Sequence, residues 1–191
     1  MNTVGRIGMI IGLALGAASP AMPQFAPSGG PTVTVGGGNE TADVDRGRPL
    51  VLVASGLGVP SQVFREAFSH VTPAPGGHKP DPQQVQRNKQ ALLDALSKYG
   101  VTNDQLDKVS DYYRYRPGRG NLWKTKAAVV EAVVTNDVVT AFKIVDGGAG
   151  YSSQPVISVA GHPEIRATSI IAFSKDLSKN GSIAKIDIQR K

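Results

Sequence analysis

The chain has 191 residues, no cysteine, three histidines and a formal charge of +6, from 21 Lys and Arg against 15 Asp and Glu. That length suits one domain of ordinary size or two small ones. The absence of thiols excludes a disulfide framework, thiolate zinc sites, iron–sulfur clusters and cysteine nucleophiles, and His70, His78 and His162 have no metal-ligand spacing, so no cofactor is expected.

Residues 1–21 have the layout of a secretory signal peptide. Arg6 supplies the positive start, Ile7 to Ala18 is an uncharged apolar run, and Ser19-Pro20-Ala21 offers small residues for cleavage after Ala21, with Ala18 as a second candidate. As a helix this run would span about 18 Å, short of the roughly 30 Å hydrocarbon core. The expectation is an exported protein, periplasmic or extracellular, with no transmembrane segment in the mature chain. A lipoprotein is excluded for want of a cysteine. Residues 22–47 hold six Gly and three Pro with almost nothing large, and read as a flexible linker. Thr32 to Val35 has strand character, but the Gly36-Gly37-Gly38 run after it suggests no partner. Glu40, Asp43 and Asp45 outweigh Arg46 there, so the rest of the mature chain is more basic than its average.

Residues 48–120 read as a helical domain. Asp81-Pro82-Gln83-Gln84 is a helix start, with Asp81 as cap, Pro82 at the first helical position and Gln84 completing a capping box. Val85, Leu92, Leu96 and Tyr99 follow at helical spacing, and Gly100 closes the helix. Thr102-Asn103-Asp104-Gln105 is a second box, followed by Leu106, Val109 and Tyr113 on one face. Gly58-Val59-Pro60 with Phe64 and Ala67 repeats as Gly100-Val101-Thr102 with Leu106 and Val109, at an offset of 42. Each copy describes a tight corner in which a Val staples onto the residue five later. Two such helix pairs predict a four-helix cluster, with Pro73 to Pro80 as the connecting loop.

Residues 121–191 read as a β domain, with the period changing to two over 127–189. Val129–Val134, Val138–Val145, Val156–Ala160, Ile165–Phe173 and Ile183–Ile188 read as strands, with hairpin turns at Asn136-Asp137 and Asn180-Gly181. The expected fold is α+β: a small helical cluster followed by a small antiparallel sheet of about five strands.

The corner pattern is similar to the helix-turn-helix of bacterial DNA-binding proteins. Gln62 and Arg65 in the first copy are available for readout, but Asn103, Asp104 and Asp107 in the second include acids that oppose phosphates. With an export signal in front, nucleic acid is not the expected partner. The densest polar cluster runs from Tyr112 to Lys126. Its aromatics Tyr112, Tyr115 and Trp123 can stack on sugars, and its cations Arg114, Arg116, Arg119 and Lys124 can pair with phosphate, sulfate or carboxylate. It is the candidate binding segment, for an anionic polysaccharide or an envelope protein partner. The alternative is that Tyr113 and Trp123 are core contacts between the two halves, with arginine stems packed over them.

Asp146 to Pro155 (DGGAGYSSQP) lacks the following helix and Lys of a phosphate loop, and the acid a calcium repeat would need at Ser152; it reads as a hairpin connection. This stretch, Val139 to Gly161, resembles the GGxGYxxxP β-units of bacterial surface proteins and phage tail or fibre proteins, whose role is mostly architectural or adhesive. More widely, LGVP..VFREAFS, YGVTNDQLD, YYRYRPGRGNLW, GGAGYSSQP and NGSIAKIDI together resemble a group of uncharacterised exported bacterial proteins, over residues 48–189. That resemblance implies export and a binding or structural role. No enzyme motif stands out: the histidines are scattered, no serine lies in a nucleophile elbow, and Glu66, Glu131 and Glu164 do not pair by sequence. The alternative to a binding protein is an envelope-polymer hydrolase whose acidic residues the sequence does not identify.

Overall fold

The computed structural model describes residues 29–72, 81–114 and 122–189. The expected signal peptide, residues 22–28 of the expected linker and the Pro73–Pro80 loop lie outside them. The described part is mixed helix and sheet, with four helices and six strands.

Helix α1 (Leu50–Leu57) is almost wholly apolar and buries Leu50, Leu52, Ala54 and Leu57. Gly58 ends it at φ 74°, and the Val59 amide bonds back to the Ala54 carbonyl at 3.0 Å. Helix α2 (Ser61–Ser69) follows at once and buries Phe64 and Ala67. Helix α3 (Pro82–Leu96) starts as the sequence predicts, with the Asp81 carboxylate accepting from the Gln83 amide. Gln84 does not close a box, because its amide donates to the Thr72 carbonyl instead. Val85, expected on the apolar face, is exposed, as is Tyr99. A 3-10 turn over Ser97–Tyr99 ends at Gly100, φ 80°. Helix α4 (Asn103–Tyr112) has the full Thr102/Gln105 capping box. Val59, Phe64, Val101 and Leu106 are all buried, in keeping with the stapled corners.

The strands depart from a single five-stranded sheet. They form three separate antiparallel pairs. Strand β2 (Val129–Thr135) pairs with β3 (Val138–Asp146) through a turn at Asn136 and Asp137, both at positive φ, which is the expected hairpin. Strand β4 (Pro155–Val159) does not return along β3. It pairs with β1 (Val33–Gly37), drawn from the segment read as a linker, with Val33 opposite Val159 and Gly37 opposite Pro155. Strand β5 (Ala167–Ala172) pairs with β6 (Ser182–Ile188). Beyond these ladders β1 lies against β2, β4 against β5, and β6 against β3, so the pairs succeed one another in a closed ring.

The glycines explain why residues 29–47 fold back. Gly38, at φ 81°, packs so closely on Tyr151 and Pro155 that a Cβ would sit 2.6 Å from the Tyr151 ring. Its carbonyl accepts from both the Ser152 and Ser153 amides, at 2.9 and 3.2 Å. The glycine run is therefore the surface that receives the Tyr151 loop. That loop is a crossing between two ladders rather than a hairpin connection.

Helices and strands share one apolar cluster, because Trp123 and Leu177 are buried among the side chains of all four helices. Asn180 ties them further. It is fully buried and uses its whole amide: its oxygen accepts from the Ser55 hydroxyl (2.8 Å) and the Ser174 amide (3.0 Å), and its nitrogen donates to the Leu52 carbonyl (2.8 Å) and the Tyr113 hydroxyl (2.9 Å). The expected Asn180-Gly181 hairpin turn is therefore the end of a longer connection, residues 173–181, whose last asparagine enters the core. Among the described residues no helix is long and apolar enough to cross a membrane.

Candidate functional site

A cavity of about 570 Å³ opens on the helical side, between residues 44–50 and the faces of α1 to α4. Its apolar surface comes from Leu50 and Val53 of α1, Phe64 and Phe68 of α2, Leu92 of α3 and Tyr113 after α4. Its charge comes from Arg46, Arg48, Arg65 and Arg114 against one carboxylate, Asp45.

The backbone before α1 positions two of these arginines. Asp43–Asp45 makes one 3-10 turn, then Arg46 (φ 52°) and Gly47 (φ 77°) take two left-handed residues in succession. Pro49 stops further turning and leads into α1. Asp45 is thereby turned inward, where its side chain keeps only 4% exposure and holds Arg65 in a two-pronged ion pair, Nε–Oδ1 2.8 Å and Nη2–Oδ2 2.9 Å. Arg65 also donates to the Gln62 side chain. The two polar side chains that a DNA-reading helix would present are thus engaged within the fold.

Arg48 is placed differently. Its guanidinium lies 4.7 Å from the centroid of the Phe68 ring. Burial, and secondarily repulsion from Arg46, push its pKa down from the usual arginine value, yet a guanidinium stays protonated in water. Neither Arg46 nor Arg48 has a carboxylate partner among the described residues. Arg114, by contrast, is paired with Asp111 one turn back. The cavity wall therefore carries one partly desolvated, unneutralised positive locus.

A second cavity, about 290 Å³, lies on the other side of the Asp45–Arg65 pair and is bordered by Glu40, Ser152 and Ser153. Glu40 is held below the ordinary carboxylate range, chiefly by a hydrogen bond from the Ser153 hydroxyl. The two carboxylates that line these cavities are therefore both engaged, Glu40 by a hydroxyl and Asp45 by a guanidinium.

The binding segment expected from the sequence is divided by the structure. Tyr115, Arg116 and Arg119 lie outside the described residues. Arg114 lines the cavity. Trp123 is buried, with its indole N–H donating to the Gly150 carbonyl at 2.9 Å, so its ring packs in the core rather than offering a face to a sugar. Tyr112 and Lys124 are brought together, the ammonium 5.0 Å from the ring centroid, but neither lines the cavity. Tyr113 meets Tyr112 edge-on, with ring centroids 5.0 Å apart. Arg46, Arg48 and Phe68 were not among the expected site residues. The signal for them was the Arg-Gly-Arg-Pro string at 46–49, two cations with a turn-permitting glycine between them, directly before an apolar helix.

The sequence matches no protein-family model, no curated protein and no solved structure.

Proposed function

We propose that this chain is an exported bacterial protein of the envelope or extracellular space that binds an anionic ligand. Export rests on the layout of residues 1–21. Binding rests on one observation above the others: among the described residues Arg46 and Arg48 stand without carboxylate partners in the lining of a cavity that is otherwise mostly apolar. A guanidinium that has lost part of its hydration and faces a second one gains more from an incoming anion than a fully solvated surface lysine does. The cavity also falls within the size range of ordinary ligand sites, about 300–1,000 Å³.

The test is binding of the purified protein to an acidic polysaccharide and to anionic vesicles at low and high salt, with melting measured on the same samples. The Arg46→Ala/Arg48→Ala variant should lose most of the binding with little change in melting temperature. Binding that persists in that variant and disappears instead on substituting Arg114, Arg116 and Arg119 would return the site to the segment after α4.

A further inference from the structure

Resting on that reading, we infer that the helical cavity takes an anionic amphiphile, a single carboxylate or phosphate head on an aliphatic body, with the head at Arg46 and Arg48 and the body along Val53, Phe68, Val71 and Leu92. The distribution of charge separates this ligand from a polymer. A polyanion is read by a stripe of cations, each meeting one charge of the chain. Here Arg65 is neutralised by Asp45 and Arg114 by Asp111, which leaves the positive charge of the wall concentrated at two residues separated by a single glycine.

The rest of the wall has the opposite chemistry. Leu50 and Phe64 are buried at its base, while Val53, Phe68, Val71 and Leu92 are only half-buried and present apolar surface to the cavity. Phe68 belongs to both regions. The Arg48 guanidinium lies over its ring at 4.7 Å, and the Phe64 ring centroid stands 6.0 Å from its own. A ligand head bound at Arg48 therefore has its first carbons at the Phe68 ring. An aliphatic chain continuing from there would cover side chains that the four helices leave uncovered.

Titration calorimetry with decanoate below its micellar concentration tests this, alongside decanol, acetate, an acidic polysaccharide and phosphatidylglycerol vesicles. Decanoate should bind, and affinity should rise about three- to fourfold with each methylene added from hexanoate upward. Acetate should be at least about a hundredfold weaker on the same basis. Arg48→Met keeps the stem over Phe68 and removes the charge, so it should weaken decanoate at least about tenfold. Arg48→Lys should recover part of that loss, and both variants should melt like the parent. Acetate or polysaccharide binding as tightly as decanoate would overturn the amphiphile and leave the anion site standing. Decanol binding as tightly as decanoate would overturn the anionic head. Capture by the vesicles with no response to free decanoate would overturn an enclosed aliphatic body. Silence from every ligand would overturn both this inference and the proposed function.

Discussion

Replacing Asn180 by alanine removes four hydrogen bonds where α1, the residue after α4 and the 173–181 connection meet. The four partners differ in what they lose. The Ser55 hydroxyl also lies 2.7 Å from the Val51 carbonyl and keeps that acceptor. The Ser174 amide is only partly buried and can be hydrated. The Leu52 carbonyl keeps its place in the α1 helix and the Ser55 hydroxyl at 3.1 Å, whereas the Tyr113 hydroxyl loses a buried partner. At about 1–3 kcal/mol for the buried hydroxyl left unsatisfied and about 0.5–1.5 kcal/mol for the bond withdrawn from Leu52, the variant should lose about 1.5–4.5 kcal/mol, a large part of the 5–15 kcal/mol typical of a domain. In urea, with a slope of about 2 kcal/mol/M, the midpoint should fall by roughly 1–2 M at an unchanged slope. Asn180→Asp keeps the size and both acceptors but withdraws the two donors, and should be at least as damaging as alanine at neutral pH. A loss below about 1 kcal/mol for alanine would refute the assignment of Asn180 as the polar tie of the core. Two separate transitions in the parent protein would refute the shared helix–strand core.

Tyr113 supplies a pH test. Burial pushes its hydroxyl up to about 12, against a smaller opposing effect of the Asn180 bond. Between about pH 10 and 12 the unfolded chain sheds this proton while the native chain keeps it, so stability should fall as pH rises through that window; absorbance at 295 nm should show one tyrosine titrating late, and Tyr113→Phe should abolish that component. Gly181→Ala should cost much more than Gly100→Ala, although both sit at positive φ: a Cβ on Gly181 meets the Tyr151 carbonyl at 2.5 Å and Leu52 at 2.6 Å, whereas one on Gly100 meets nothing within 4 Å. Gly100→Ala should lose only the strain of about 1–2 kcal/mol, and equal losses in thermal melts would contradict the packing around Gly181. Mass spectrometry of protein from the native host should find an N-terminus at Ser19 or Met22; an intact Met1 on cytoplasmic protein would overturn export.

What could be read from the sequence was local. The Asp81 cap, the Thr102/Gln105 box, the left-handed Gly100 and the Asn136-Asp137 turn each depend on residues within four of one another, and each forms. The features that escaped depend on distant partners. Val33 finds Val159 across most of the chain, so a lone strand in a glycine-rich stretch had nothing nearby to identify it. Asn180 precedes a glycine, the common hairpin pair, and only the three-dimensional convergence of Leu52, Ser55 and Tyr113 makes burial of its amide favourable. The site also depends on distant partners. Density of cations and aromatics pointed to the Tyr112–Lys126 segment, yet Arg114 shares the cavity with arginines from the other side of α1 and α2, and Trp123 has become part of the core. Whether a guanidinium has a carboxylate partner is a property of the fold, and composition does not carry it.

The central claim, an anion site at Arg46 and Arg48, is tested most directly by following arginine side-chain Nε–H signals in nuclear magnetic resonance while decanoate is added. The Arg48 and Arg46 signals should shift and saturate together, with Arg87 and Arg166 unmoved. Saturable shifts at Arg114 with Arg46 and Arg48 silent, or uniform small drifts of every arginine, would contradict it.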